Sequence, residues 1–369
     1  MGRAEQETHC CQYQVSSVYL NRIYSAHLHS YRIGIFGFPN AAGLAIEDQN
    51  VGFMDQRLAV EWVRDNIANF GGDANRILLW GQSAGAMSAD DYNFAYPDDP
   101  IVSGLIMHSG TSTLNFVFPD YEQTNFTYVA QHFGCVECDA KAELDCLRKV
   151  NASSIFSFLE AYLANASSGP VAFSPVVDNR LLFENYTARA LAGNYSRVPA
   201  LIGNTADEGN SFVLPYNATY GPPRVEADAT TVGFFMCPTI QTSHDRYASN
   251  STTFRYLYAG NFSNVSPKWW LGAYHSSDLP MVFGTYDIAR GNGTAFQKQV
   301  SEKMQDYWLA FAEDPVDGLP KLDWEAYQNG NGKGIMFGKD DKVEQKISES
   351  RLDAPCDGLM PNGLPPPPN

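Results

Sequence analysis

No run in the 369-residue sequence approaches the roughly 20 continuous apolar residues of a membrane-spanning helix, so no transmembrane segment is predicted. Basic residues are scarce, with 25 Lys and Arg against 41 Asp and Glu and a formal net charge of −16. Phosphate backbones and anionic bilayers repel such a chain, which argues against nucleic acid or an acidic membrane as its main partner. Neutral or cationic small molecules are easier to accommodate. Cysteines number only seven, and the close pair in Cys135-Val-Glu-Cys138 lacks the second pair or spaced histidines that a metal site needs. The opening stretch "MGRAEQETHCCQYQ" is polar where a secretory leader is apolar, so no leader is expected there. Internal repeats are absent as well.

What the chain does contain is 44% apolar residues, enough for one large core or two modest ones. Ten Asn-x-Ser/Thr acceptors, from Asn125 to Asn292, fit an exported glycoprotein with many surface loops. Cys135 and Cys146 enclose the polar loop "CVECDAKAELDC", which a local disulfide would staple, and Cys237 with Cys356 would make a long-range clip. Spacing alone leaves the pairing open, and Cys10, Cys11 and Cys138 have no assigned role.

Along the chain, "YRIGIFGFP" (31–39) reads as a buried strand running into a turn. "DQRLAVEWVRDNIANFGG" follows as an amphipathic helix, with Leu58, Trp62, Val63 and Ile67 on its apolar stripe and a double-glycine stop. "RILLW" (76–80) and "VSGLIMHSG" (102–110) are the next strands, with a helix between them. This alternation is that of a parallel sheet covered by helices. Residues 111–198 read as a helical or loop-rich excursion that includes a helix at 154–163. Strands resume at "VPALIGNTADEG" and "TFRYLYAG", and a helix at 296–315 carries Val300, Met304, Trp308 and Phe311 on one face. "KGIMFG" (333–338) is read as the last strand.

"ILLWGQSAGAMS" (77–88) joins an apolar strand to a helix of small residues through a Gly-x-Ser-x-Gly turn. Such a turn lifts a serine hydroxyl above the sheet edge; Gly81 and Gly85 permit the bend, and the Ala84 N–H faces a developing oxyanion. Ser83 then requires a base and an orienting acid. His275, in a polar turn between aromatic and apolar segments, is the best-placed base. His108, at a strand end next to the nucleophile strand, is its strongest competitor, ahead of His27, His29, His132 and His244. Glu208, where "PALIG" gives way to a loop, is chosen as the acid, with adjacent Asp207 as the confounder. The chain order Ser83, Glu208, His275 is that of α/β-hydrolases and unlike the common serine-protease orders. Trp269, Trp270 and Tyr274 are read as packing residues rather than as a substrate pocket.

Together, "YRIGIFGFP", "NVGFMDQRLAVEWVRDNIANFGGDANRILLWGQSAGAMS", "SPVVDNRLLF", "NTADEGNSF" and "LGAYHSSDLPMVFGT" resemble the type-B carboxylesterase family of cholinesterases and fungal esterases and lipases. The resemblance spans most of 31–357. It implies an α/β-hydrolase fold, mostly parallel sheet flanked by helices, and Ser83 as nucleophile, Glu208 as acid, His275 as base and Ala84 as an oxyanion amide. Asp278 matches a carboxylate behind the base, and Gln82 stands where many members have Glu. The resemblance also implies the pairs Cys135–Cys146 and Cys237–Cys356, secretion, a small neutral ester as substrate, and no cofactor or metal.

Family members also carry a glycine-rich His-Gly-Gly loop, on a strand preceding "YRIGIFGF", that supplies two further oxyanion amides. Residues 1–30 contain no such run. The expected organisation is therefore an atypical segment (1–30), an incomplete type-B domain with its N-terminal strands missing (31–357) and a proline-rich tail (358–369). Ester hydrolysis is the expected reaction, weakened by loss of those amides. The alternative is a non-catalytic, cholinesterase-like scaffold for binding or adhesion.

Overall fold

Apolar runs that are buried on both faces form the strands of a parallel sheet here. The computed structural model describes residues 27–114, 120–136, 139–165, 171–214 and 216–357. These described residues fall into two compact units, one within 63–114 and 185–357 and the other within 28–62 and 120–184.

The first unit is built on a six-stranded sheet in the order β1 (Leu78–Gln82), β2 (Gly104–His108), β3 (Ala200–Thr205), β4 (Thr253–Tyr258), β5 (Lys333–Lys339) and β6 (Lys342–Ser348). The first five strands are parallel, and β2 and β3 are buried at every position. β1 starts two residues later than "RILLW" suggests and runs on to Gln82, which pairs with His108.

β5 is not the last strand. Asp340 and Asp341, with φ of +55° and +56°, form a two-residue turn into the antiparallel β6. The alternating charges of "KVEQKIS" hide this strand in the sequence; they are the residues that protect a sheet edge from further pairing.

Helix Ala295–Glu313 covers this sheet, capped by Thr294, whose hydroxyl accepts the Gln297 N–H at 3.0 Å. Its Val300, Met304, Trp308 and Phe311 are buried together with Tyr256, Tyr258 and Phe337, as the helical spacing predicts. Burying side chains of this size contributes about 1.5–3 kcal/mol each. The Cys237–Cys356 disulfide closes a separation of 119 residues within this unit.

In the second unit, helices Thr124–His132, Ala140–Leu147 and Ala152–Ala164 bury Phe126, Val129, Leu144, Leu147 and Ile155 against Ile35, beside the Cys135–Cys146 disulfide. Residues 31–39 do not form the expected strand. Gly34–Gly37 makes a short helical turn, with the Phe38 N–H bonded to the Gly34 carbonyl at 2.8 Å. A strand requires a neighbouring ladder, and no strand pairs with this segment among the described residues, so its backbone groups are satisfied locally.

Helix Val51–Asn66 forms as expected, but only part of the expected stripe is inward: Ile67, just past the helix, is buried and Val63 half-buried, whereas Leu58 and Trp62 are 65% and 51% exposed and Gly52, Gln56 and Val60 are buried in their place. The buried Asn50 sets this rotation at the helix start, donating to the Val176 carbonyl (2.7 Å) and accepting from the Val176 N–H (3.0 Å). Cys10, Cys11, Cys138, the 13–20 segment and the proline-rich tail lie outside the described residues. No helix among the described residues is long and apolar enough to cross a membrane.

Candidate active site

At the end of β1 the chain turns sharply into helix Ala84–Ala95, and Ser83 occupies the corner with φ +56° and ψ −122°. A non-glycine residue at positive φ is strained, a condition that persists where the surroundings fix it. Here they do: the Ser83 N–H donates to the His108 carbonyl at 2.8 Å, and the Ser83 carbonyl accepts from Ala86 and Met87. A Cβ at Gly81 would fall 2.0 Å from the Gly85 carbonyl oxygen, so only glycine lets the turn close. Gly85 differs from the sequence expectation, since a Cβ there meets nothing within 4 Å. The half-buried Ser83 and exposed Ala84 stand at the helix N-terminus, where the first amides lack intrahelical acceptors and the dipole favours negative charge.

Glu208 opens a short 3₁₀ turn just beyond β3 and is fully buried. One carboxylate oxygen accepts the Thr205 N–H at 2.8 Å, and the other lies 2.6 Å from His275 Nδ1. The His275 side chain retains 9% exposure against 0% for Glu208, so the imidazole meets the outside and the acid does not. Phe212 and Phe235 flank the ring, each at 4.8 Å between centroids. The other imidazole nitrogen, Nε2, is 2.9 Å from the side-chain nitrogen of Gln82, the residue before Ser83. The structure thus brings Glu208 and His275 together beside the serine turn, with Gln82 rather than Ser83 hydrogen-bonded to Nε2.

Asp207, the alternative acid, faces the backbone of the histidine loop. Its Oδ2 accepts the Ala273 N–H at 3.0 Å, and its own N–H donates to the Ala273 carbonyl at 2.9 Å. Gly272 has φ +60°, and a Cβ there would sit 2.2 Å from Asp207 Oδ2. Asn210 donates to the carbonyls of Trp270 (2.8 Å) and Leu271 (3.2 Å). The turn that supplies Glu208 therefore also grips the loop that supplies His275, a role for Asp207 and Asn210 that no motif signals.

His108 does not approach as a base. Its ring is fully buried, with Nδ1 2.6 Å from Asp278 Oδ2 and Nε2 accepting the Trp308 indole N–H at 3.0 Å. Elsewhere, His132 stacks on Phe158, and His244 lies near Asp353. The aromatic residues before His275 divide. The Tyr274 hydroxyl donates to the Val265 carbonyl, and its ring packs on the core, whereas Trp269 is 73% exposed, contrary to the packing expectation. Trp269 instead donates its indole N–H to the Thr219 carbonyl at 3.1 Å.

A mostly parallel sheet flanked by helices, with a serine at a strained strand-to-helix corner, defines an α/β-hydrolase. The chain belongs to the carboxylesterase family, which it matches over residues 28–230 and 223–354. It is 40% identical over 342 residues to chlorogenic acid esterase of Aspergillus niger, covering 89% of this chain and 65% of that protein. Secreted lipase 5 of Gibberella zeae is 42% identical over 345 residues, covering 88% and 64%. Para-nitrobenzyl esterase of Bacillus subtilis is 28% identical over 353 residues, covering 85% and 69%. The chain thus spans just under two thirds of the length of the first two relatives.

Proposed function

We propose that this chain hydrolyses small neutral carboxylic esters through an acyl-enzyme on Ser83. The supporting observation is the Glu208–His275 contact of 2.6 Å next to the strained Ser83 corner. In this reading His275 Nε2 takes the Ser83 proton as Oγ attacks the ester carbonyl, and the buried Glu208 carboxylate holds the Nδ1–H tautomer and stabilises the imidazolium. The tetrahedral intermediate collapses, the C–O bond to the alcohol breaks, and His275 returns the proton to the leaving alkoxide. Water activated by the same imidazole then releases the acid and restores Ser83. The Ala84 N–H donates to the oxyanion. Each such donor is worth about 3–4 kcal/mol in the transition state, so the rate scales with how many amides face that oxygen.

The two fungal relatives, named for chlorogenic acid and for lipid, support an ester as the substrate class, and the name of the second, with the ten sequons, supports an extracellular setting. The alternative is a binding scaffold without turnover, favoured by the Gln82 contact on His275 Nε2. Hydrolysis of p-nitrophenyl acetate by wild type and Ser83→Ala separates the two readings. Turnover that disappears in the variant supports the esterase; equal rates in both, or none in either, support the scaffold.

A further inference from the structure

His108 is fully buried at the end of β2, and its backbone and side chain reach different parts of the proposed machinery. Its carbonyl accepts the Ser83 N–H at 2.8 Å, which fixes the serine corner against β2. Its ring is read from the Trp308 contact: an indole N–H can only donate, so Nε2 must present a lone pair and the proton sits on Nδ1. That Nδ1–H faces Asp278 Oδ2 at 2.6 Å and the Tyr256 hydroxyl oxygen at 2.7 Å, and the Tyr256 hydroxyl donates in turn to the same Asp278 oxygen at 3.0 Å, so both contacts tie His108 to Asp278. Burial and the neighbouring Asp278 charge raise the Tyr256 hydroxyl well above its ordinary value, so it stays a donor. Asp278 lies three residues after His275, just beyond the bend closed by the Ser277 N–H on the Tyr274 carbonyl at 2.9 Å. Trp80 stacks on the His108 ring, with 5.4 Å between centroids and 16° between planes.

We propose that His108 is the positioning residue that sets the spacing between nucleophile and base: its carbonyl holds Ser83, and its Nδ1–H, through Asp278, holds the His275 turn. The proposal rests on the triad reading above. It predicts that glutamine, whose amide offers an N–H donor towards Asp278 and a carbonyl acceptor for the Trp308 indole, replaces His108, whereas leucine does not. In His108→Leu, kcat for p-nitrophenyl acetate falls about 10- to 100-fold with KM within about threefold of wild type, the cost of a small misplacement of reacting groups. His108→Gln stays close to wild type.

A second readout is independent of turnover. The low-field proton NMR signal of the Glu208-bound His275 Nδ1–H, identified by its loss in His275→Gln, persists in His108→Gln and shifts or broadens in His108→Leu. If His108→Leu is folded by near-UV circular dichroism and keeps that signal unmoved, the proposal is overturned. Should His108→Leu not fold, loss of the signal in folded His108→Gln overturns it equally. Ser83→Ala is measured alongside: wild-type turnover there removes the triad reading itself, while the NMR comparison still decides whether His108 positions His275.

Discussion

The Gln82 side-chain nitrogen lies 2.9 Å from His275 Nε2, on the atom through which Ser83 would be activated. In the proposed mechanism the residue before the serine therefore competes with it for the lone pair of His275. A neutral hydrogen bond of this kind is worth about 1 kcal/mol net, or roughly a fivefold population difference. Replacing Gln82 by Met keeps the volume and removes the donor. Stopped-flow acylation by p-nitrophenyl acetate is expected to accelerate up to about fivefold with KM little changed. A slower reaction would assign the amide a supporting role instead.

Glu208 meets His275 Nδ1 at 2.6 Å from a site sealed from solvent, and in the proposed mechanism it fixes the tautomer of that ring. Glu208→Gln keeps the shape and loses the charge, so kcat should fall by roughly 10³- to 10⁴-fold, the scale of the equivalent change in a serine triad. Unchanged circular dichroism would show that the loss is chemical. Asp207→Asn, which removes the charge facing Ala273 and Arg224 (3.6 Å) but leaves Glu208 in place, is expected to cost far less, and steady-state kinetics of the pair distinguishes acid from clamp.

Asp91 lies buried in the helix after Ser83, where its Oδ1 accepts the Tyr186 hydroxyl at 2.6 Å. Burial raises its pKa to about 8, against the opposing Tyr186 bond and with help from the nearby Asp90. Between about pH 4 and pH 8 the native state thus holds a proton that the unfolded chain has released. Stability therefore falls as pH rises through this window. Asp91→Asn keeps the acceptor and removes the titration. At pH 8 its Tm should exceed that of wild type by at least about 2–4 °C, and the gap should close towards pH 4. A gap independent of pH would contradict the assignment.

The two disulfides differ by an order of magnitude in the chain they enclose, with separations of 11 and 119 residues. In the chain-entropy account they contribute about 3 and about 5 kcal/mol. Ser substitution of the Cys237–Cys356 pair is expected to lower Tm more than substitution of Cys135–Cys146, as scanning calorimetry without reductant can measure.

Much of the sheet was legible because parallel strands buried on both faces are short apolar runs, as in "GLIMH" and "ALIGNT". The helix Ala295–Glu313 was equally plain, since the 3.6-residue period selects a single face. Residues 31–39 misled because the same apolar run is a strand only where a ladder is available. Helix Val51–Asn66 misled because its rotation is set by Asn50 and Val176, which are far apart in sequence. At the site, the turn around Ser83 has a local signature in its glycines. The Gln82–His275 contact has none: it joins residues 193 positions apart and appears only once the chain has folded. His108 was visible as a histidine at a strand end, but its link to Asp278 across 170 positions was not.

The central claim is that Ser83 becomes acylated. The most direct measurement is the intact mass of the chain, quenched within the first turnover of a p-nitrophenyl ester and followed by peptide mapping. The account predicts a single added acyl group on the peptide containing Ser83, appearing with one equivalent of p-nitrophenol and absent in Ser83→Ala. An unmodified chain in the presence of released p-nitrophenol, or an acyl group mapped elsewhere, would contradict it.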